Sequence, residues 1–433
     1  MEKENVLVIG GGIAGIQASL DLADKGMQVY LVEKEPSIGG RMAQLDKTFP
    51  TNDCSICILA PKMADCHGHS NINVMTYSVV KDVAGKAGNY EVTVLRMARH
   101  VNEDKCTGCG DCNAKCPVKV PNEFDMGLGM RKAIYLPFLQ AVPRVMTIDE
   151  ENCIYYKKGK CKLCEKQCEI GAIEFDKGSE EVKLKVAAII VATGYDVWDP
   201  SSAKEYGYGK IQNVFTAMEF ERMINAAGPT GGHIQRRSDG ERPKKIGFIQ
   251  CVGSRNPQLD HPYCCSVCCM HSTKEAILAR EHHDDMESFI FYKDMRTFGK
   301  GFNEYMERGK SEYGITYVNS DATVDENPDN HNPIVVYDVA GKQEKREVDM
   351  VVLATTLIPR KGARDLAKLL DIGIDEFGFY ESADKLFNPV DTKRPGIFVA
   401  GYCHEPMDIP EAVAQASGAA ARAAELISTK GES

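Results

Sequence analysis

The chain has 433 residues, 43% of them hydrophobic, and a formal net charge of −10. That length holds two or three domains with ample core, and the acidic balance argues against nucleic acid and anionic membranes as partners. No apolar run approaches the roughly 18 residues that a membrane span needs. The 17 cysteines would suggest disulfides in a small secreted protein. Here the first strand begins too early for a signal peptide, so metal ligation in a reducing cytoplasm, in an anaerobe, is the expected account.

Val6-Leu7-Val8-Ile9 is unbroken apolar sequence and predicts a buried strand. Gly10-Gly11-Gly12-Ile13-Ala14-Gly15 follows, then an amphipathic helix to Gly26 and a second strand, Gln28 to Val32, ending at Glu33. This strand–turn–helix–strand–acid order is the dinucleotide fingerprint. Gly10 makes the tight turn, Gly12 lets a pyrophosphate approach the backbone, and Gly15 lets helix and strand pack. Glu33 is placed to accept from ribose hydroxyls, with Lys34 beside it. The continuation Glu33-x5-Gly39-Gly40-Arg41 resembles FAD proteins of the glutathione-reductase type and favours FAD over NAD. Ala188 to Gly194, ending Ala192-Thr193-Gly194, and Pro395 to Gly401 resemble two further pieces of that class. The acidic residue usual after the last glycine is Tyr402 here. A helix from about Ile409 through Ala424 is expected to aim its N-terminus at the flavin.

Between the FAD pieces lies a cysteine cassette, Cys106-x2-Cys109-x2-Cys112-x3-Cys116-Pro117 followed by Cys153, Cys161, Cys164 and Cys168. This is the spacing of a two-cluster ferredoxin. By the crossover rule Cys106, Cys109, Cys112 and Cys168 hold one [4Fe–4S] cluster, and Cys153, Cys161, Cys164 and Cys116 the other. Zinc is the rival for these thiolates. The loop from Cys153 to Cys161 is longer than in simple ferredoxins and makes Cys153 the weakest assignment. Nearby, Cys54-x2-Cys57 is either a redox pair or a structural one, and Cys66 and Cys403 read as ordinary thiols.

A second insertion opens with a strand from Lys245 to Gln250. In disulfide-reductase-like flavoproteins this region binds NAD(P)H, but no GxGxxG follows. Five cysteines stand there instead: Cys251, Cys264, Cys265, Cys268 and Cys269. If Cys264 begins a helix, Cys264 and Cys268 share a face. A cubane takes four thiolates, and core packing or zinc are the alternatives.

With these motifs the chain resembles the A-type component of heterodisulfide reductase, the flavin subunit of electron-bifurcating complexes of methanogens and other anaerobes. The residues that carry the likeness are the Gly10–Gly15 loop, Pro50 to Cys57, Cys106 to Pro117, Arg131 to Phe138, Cys251 to Arg255 and Tyr263 to Cys269. The resemblance implies that Cys251, Cys264, Cys268 and Cys269 ligate a third [4Fe–4S] cluster, with Cys265 spare. It also implies that Lys274 lies near the reactive flavin nitrogen. The likeness is to the short form of the family, so electron entry or exit is expected on partner subunits, with ferredoxin or a similar carrier among them.

The expected fold is therefore α/β, a glutathione/thioredoxin-reductase-like FAD domain with a second Rossmann-like domain and an inserted α+β ferredoxin domain. Residues 1–100, 178–240 and 346–433 make the FAD domain, 101–177 the two-cluster insertion, and 241–345 the cysteine-bearing second domain. The expected function is an oxidoreductase component carrying FAD and three [4Fe–4S] clusters within a larger complex. A stand-alone NAD(P)H-dependent ferredoxin or disulfide reductase is the alternative, and a scaffold with structural clusters the third reading.

Overall fold

A computed structural model describes residues 5–428. The remaining ends of the first and last expected FAD segments lie outside the described residues. The chain divides into two compact units, one of Met1–Ala43, Ile56–Tyr195 and Pro359–Ser433, the other of Gln44–Ser55 and Asp196–Ile358.

In the first unit, five parallel strands run in the order Ile397–Val399, Ala188–Val191, Asn5–Ile9, Gln28–Val32, Ile72–Met75. Burial on both faces explains why these strands read as continuous apolar sequence. Alternation along Asn5–Ile9 sends Val6 and Val8 to a core shared with helices Ile13–Asp24 and Ile409–Ser428, and Leu7 and Ile9 to a core on the opposite face. Ala416, Ala419, Ala420 and Ala423 are completely buried. Their small side chains let the two helices pack together.

The second core is covered by an antiparallel sheet of Ser78–Lys86, Asn89–Arg96 and Glu180–Val186. Arg96 is the cross-strand partner of Glu180. The whole cysteine cassette therefore leaves and re-enters the fold between two paired residues, and its length does not disturb the sheet.

The second unit repeats the architecture. Its parallel sheet runs Val214–Thr216, Met350–Thr355, Lys245–Val252, Glu287–Tyr292, Thr316–Asn319. Strands Ala322–Glu326, Pro333–Val339 and Lys342–Glu347 form an antiparallel sheet that shares a core with it. Helices Ala217–Ile224 and Cys268–His282 pack against the parallel strands. Helix Ala217–Ile224 starts cleanly because Thr216 and Glu219 form a reciprocal capping box. Segment Gln44–Ser55, which carries the short strands Lys47–Thr48 and Asp53–Cys54, belongs to this unit.

The glycine turn is the tightest point of the first unit. A Cβ on Gly15 would stand 1.8 Å from the Gly10 carbonyl oxygen, so Gly15→Ala must push the helix off the strand. A cost of about 1–3 kcal/mol is expected, seen as a lowered Tm by calorimetry. Gly178→Ala, whose added Cβ meets nothing within 4 Å, is the control and should leave Tm unchanged.

Candidate flavin and iron–sulfur sites

The flavin-site residues expected from sequence converge at the C-terminal ends of the first parallel sheet. Gly10 has φ +110°, and a Cβ there would lie 2.3 Å from the Ala192 carbonyl oxygen, next to Thr193. Gly40, at φ +59°, approaches Gly12 so closely that its Cβ would be 2.9 Å from the Gly12 Cα. Gly401, at φ +77°, leaves room only for Ala14. Gly12 itself faces open space, with no atom within 4 Å of an added Cβ. This is the geometry a pyrophosphate needs, because helix Ile13–Asp24 begins there and presents its unpaired amides. Gly194 also faces open space, and Lys34 is exposed.

Glu33 ends its strand almost completely buried. One carboxylate oxygen accepts the Gly11 amide at 2.6 Å and the other the Glu35 amide at 2.8 Å. Burial raises its pKa, while those backbone bonds work the other way. Each oxygen keeps a lone pair that can accept a ribose hydroxyl. The turn, the buried acid and the open space above Gly12 fit an FAD adenosine diphosphate. Tyr402 is buried and packs its ring 4.6 Å from that of Tyr195.

In the cassette Cys106, Cys112, Cys116, Cys153, Cys164 and Cys168 gather on a small core of Val101, Ile134, Val145, Met146, Ile148 and Phe175, while Cys109 is exposed. Short helices Asp111–Lys115 and Leu163–Gln167 pack against each other and carry Cys112 and Cys164. Cys116, Cys153, Cys161 and Cys164 all line one partly open pocket, with Ile134, Ile148, Ile154 and Leu163 among its other walls. The four residues grouped by the crossover rule thus face a single space, Cys153 included. Cys112 is flanked electrostatically by Cys106, Cys164 and Cys109. Cys168 lies on the same core, its sulfur accepting the Ala172 amide at 3.2 Å.

In the second unit Cys251 stands at the end of strand Lys245–Val252 with φ +58°. Its thiol meets that of Cys268, which in turn meets Cys265 and Cys269. Contact with the Cys268 thiol favours the thiolate at Cys251, Cys265 and Cys269, whereas Cys268, surrounded by three other sulfurs, holds its proton. The Arg296 amide donates to the Cys269 sulfur and the Ser266 amide to that of Cys264, both at 3.4 Å.

The helix, however, starts at Cys268 and not at Cys264. Ser266 sits at φ +64° and breaks the helical path, so Cys264 and Cys268 do not share a helix face. Cys265, the spare thiol by family likeness, is fully buried within the group, and Cys264 is half-buried at its edge. Among the described residues, no three cysteine sulfurs lie within 4.8 Å of one another.

Lys274 lies one turn along the same helix and is completely buried. Its ammonium pairs with Glu221 at 2.6 Å and donates to the Lys47 carbonyl at 2.9 Å. Glu221 also accepts the Asp46 amide at 2.8 Å. His271 stands 3.2 Å from Glu275 and 3.7 Å from Glu221. Burial alone would raise both glutamates; Lys274 and His271 outweigh it at Glu221, whose pKa is lowered, but not at Glu275, whose pKa is raised. Sequence reasoning named Lys274 only by family likeness and did not single out Glu221, Glu275 or Asp46, because the burial of an acid carries no signal in hydropathy. Cys54 and Cys57, at the start of helix Ser55–Gly68, are disulfide-bonded. Cys66 is buried and its thiol is pushed up to about 12.

Fold and site together define an FAD-dependent oxidoreductase with ferredoxin-type iron–sulfur ligation. Residues 5–53 match the family of FAD dependent oxidoreductases and residues 99–122 a 4Fe-4S binding domain. The backbone is similar to that of a thioredoxin reductase from Lactococcus lactis (TM-score 0.53, 14% identity, 99% of this chain and 100% of that one). The sequence is 50% identical to the A-type component of the H(2):CoB-CoM heterodisulfide,ferredoxin reductase of Methanothermobacter marburgensis, over 99% of this chain and 64% of that one. It is 54% identical to an A-type iron–sulfur component of the CoB–CoM heterodisulfide reductase of Methanopyrus kandleri, over 97% and 64%. The chain belongs to this family, the A-type flavin and iron–sulfur components of heterodisulfide reductase, and spans about 64% of the length of these relatives. No helix among the described residues is long and apolar enough to cross a membrane.

Two expectations follow from the buried charges. Lys274→Met or Glu221→Leu alone strands a buried partner and should cost about 3–5 kcal/mol, whereas the double substitution should recover much of the loss; chemical denaturation of the four proteins checks this. Asp46 is pushed up from 3.8 to about 6 by burial and by Glu221. A carboxyl whose folded pKa is raised contributes most stability below pH 3.8 and loses it as pH rises through about 6. Asp46→Asn should therefore flatten the decline in Tm between those pH values.

Proposed function

We propose that the chain is the flavin and iron–sulfur electron-transfer subunit of a heterodisulfide-reductase-like complex in the cytoplasm. Electron pairs are split or merged at FAD, and single electrons pass through three [4Fe–4S] clusters. In the bifurcating form of this reading, one electron goes to low-potential ferredoxin and the other to a disulfide on a partner subunit. The observation that carries the reading is the thiol group of Cys251 and Cys264–Cys269. It stands at the strand end where a nicotinamide-dependent reductase of this fold keeps its phosphate turn.

FAD, when bound, supplies the interconversion of two-electron and one-electron transfer. Gly10, Gly12, Ala14 and Gly15 hold its diphosphate against the helix amides, and Glu33 and Lys34 flank the ribose. Gly40, Arg41, Thr193, Gly194 and Gly401 line the remaining length. Lys274 corresponds, by family likeness, to the lysine assigned to the flavin. Of the segments expected for the flavin module (1–100, 178–240 and 346–433), residues 44–55, 196–240 and 346–358 fold with the second unit instead; the rest serve as the flavin module, 101–177 as the two-cluster relay, and the second unit as the module that holds a third cluster. Cys106, Cys109, Cys112 and Cys168 hold one relay cluster, and Cys116, Cys153, Cys161 and Cys164 the other. Cys251, Cys264, Cys268 and Cys269 hold the third. The amides of Arg296 and Ser266, at 3.4 Å from Cys269 and Cys264, stabilise added negative charge on those sulfurs and so favour the reduced cluster.

Stopped-flow absorbance on the anaerobically purified chain tests the reading. Reduced ferredoxin should bleach the flavin within the mixing experiment, and NADPH at millimolar concentration should not. Rapid bleaching by NADPH, with none by ferredoxin, would establish the nicotinamide reductase instead.

A further inference from the structure

We propose that the surface around Cys161 and Cys164 is the docking face for an acidic ferredoxin. The inference rests on the electron-transfer reading above and deepens it by naming the exchange surface. Residues 154–168 contain five lysines (157, 158, 160, 162 and 166) against one glutamate, a net +4 in a chain whose total is −10. All five lysines are exposed. The lone acid, Glu165, is already engaged by Lys162 at 3.4 Å. The segment around the other cassette motif, 103–116, has the reverse balance, with Glu103, Asp104 and Asp111 against Lys105 and Lys115. The basic charge is thus concentrated over one of the two expected relay clusters.

The same surface borders the pocket of that cluster. Leu163 lines the space shared by Cys116, Cys153, Cys161 and Cys164 and is itself 46% exposed, and Ile170 is 50% exposed. The expected Cys153–Cys161 loop is instead largely the short helix Ile154–Lys158, which Lys157 and Lys158 end, and Gly159 and Cys161, at φ +63° and +88°, turn the chain between it and helix Leu163–Gln167. An apolar centre with a charged rim is the usual anatomy of a transient protein interface. Its rim charges act chiefly on the rate of encounter, and salt screens them. An acidic partner is selected, and the apolar centre lets its own cluster approach closely. The exchange itself moves one electron between the two iron–sulfur centres: one is oxidised by one electron as the other is reduced, and no bond or proton is transferred.

The test uses the whole chain, purified anaerobically, with iron content and cluster EPR recorded first. Stopped-flow mixing with an acidic ferredoxin should give a second-order rate that falls steeply as salt is raised. In K157E/K158E/K160E, with iron and EPR equal to wild type, that rate should fall at least tenfold at low salt and lose its decline with salt. Reduction by dithionite, a small reductant that needs no docking face, should be unaltered. Equal ferredoxin rates in variant and wild type, with clusters intact, would overturn the docking face and leave the functional reading standing. A flavodoxin that shows the salt-dependent loss while ferredoxin does not would overturn the choice of occupant. Wild-type protein without cluster signals would overturn the functional reading itself.

Discussion

Cys251 occupies a left-handed backbone conformation, at φ +58°, at the end of a fully parallel strand. A side chain there costs on the order of 1–3 kcal/mol, and the surroundings must supply it. What the strain achieves is to turn the strand-end thiol onto Cys268, the first residue of the facing helix. In a nucleotide-binding unit the same junction is a short glycine turn that brings strand, helix N-terminus and phosphate together. Here strand and helix are separated by a 15-residue loop (253–267) bearing two further cysteines. The helix still begins beside the strand end, but what gathers at its N-terminus is cysteine sulfur.

Beyond the thiols, the same helix carries a lysine that water does not reach. Lys274 tolerates complete burial because Glu221 and the Lys47 carbonyl hold its ammonium. Asp46, His271 and Glu275 complete a compact polar network within the second unit. Such a network is expensive to assemble, because each buried charge depends on its partner to offset the loss of water. In the first unit the corresponding investment is in backbone, not charge. Gly10, Gly15 and Gly40 give up side chains so that three segments of main chain can touch around Gly12.

Much of the flavin unit was legible in the sequence, for a physical reason. Strands buried on both faces must be apolar throughout, so Gln28–Val32 was found with its limits, and the opening strand to within one residue. The glycines are readable because only glycine fits where their Cβ would strike backbone. The flavin helix begins at Ile409 as expected and continues to Ser428. The cassette cysteines were readable because their spacing is imposed by ligation. By contrast, the start of the cysteine helix was misjudged at Cys264, since nothing in the composition of Cys-Cys-Ser-Val announces the left-handed turn at Ser266. Segment Gln44–Ser55, grouped with the second unit, had no periodic pattern to reveal its allegiance. Glu221 and Glu275 carried no signal in the sequence, because burial of an acid depends on partners far away in sequence.

In the proposed function, sulfur-held iron takes the strand end where a nicotinamide-dependent reductase of this fold keeps its phosphate turn. Iron and acid-labile sulfide per chain, measured anaerobically beside a variant in which Cys251, Cys268 and Cys269 are all serine, address it most directly. Wild type should carry about twelve irons, as expected for three cubanes, and the variant about eight, with one FAD retained in each. Equal iron in both proteins, or saturable NAD binding at that strand end, would contradict it.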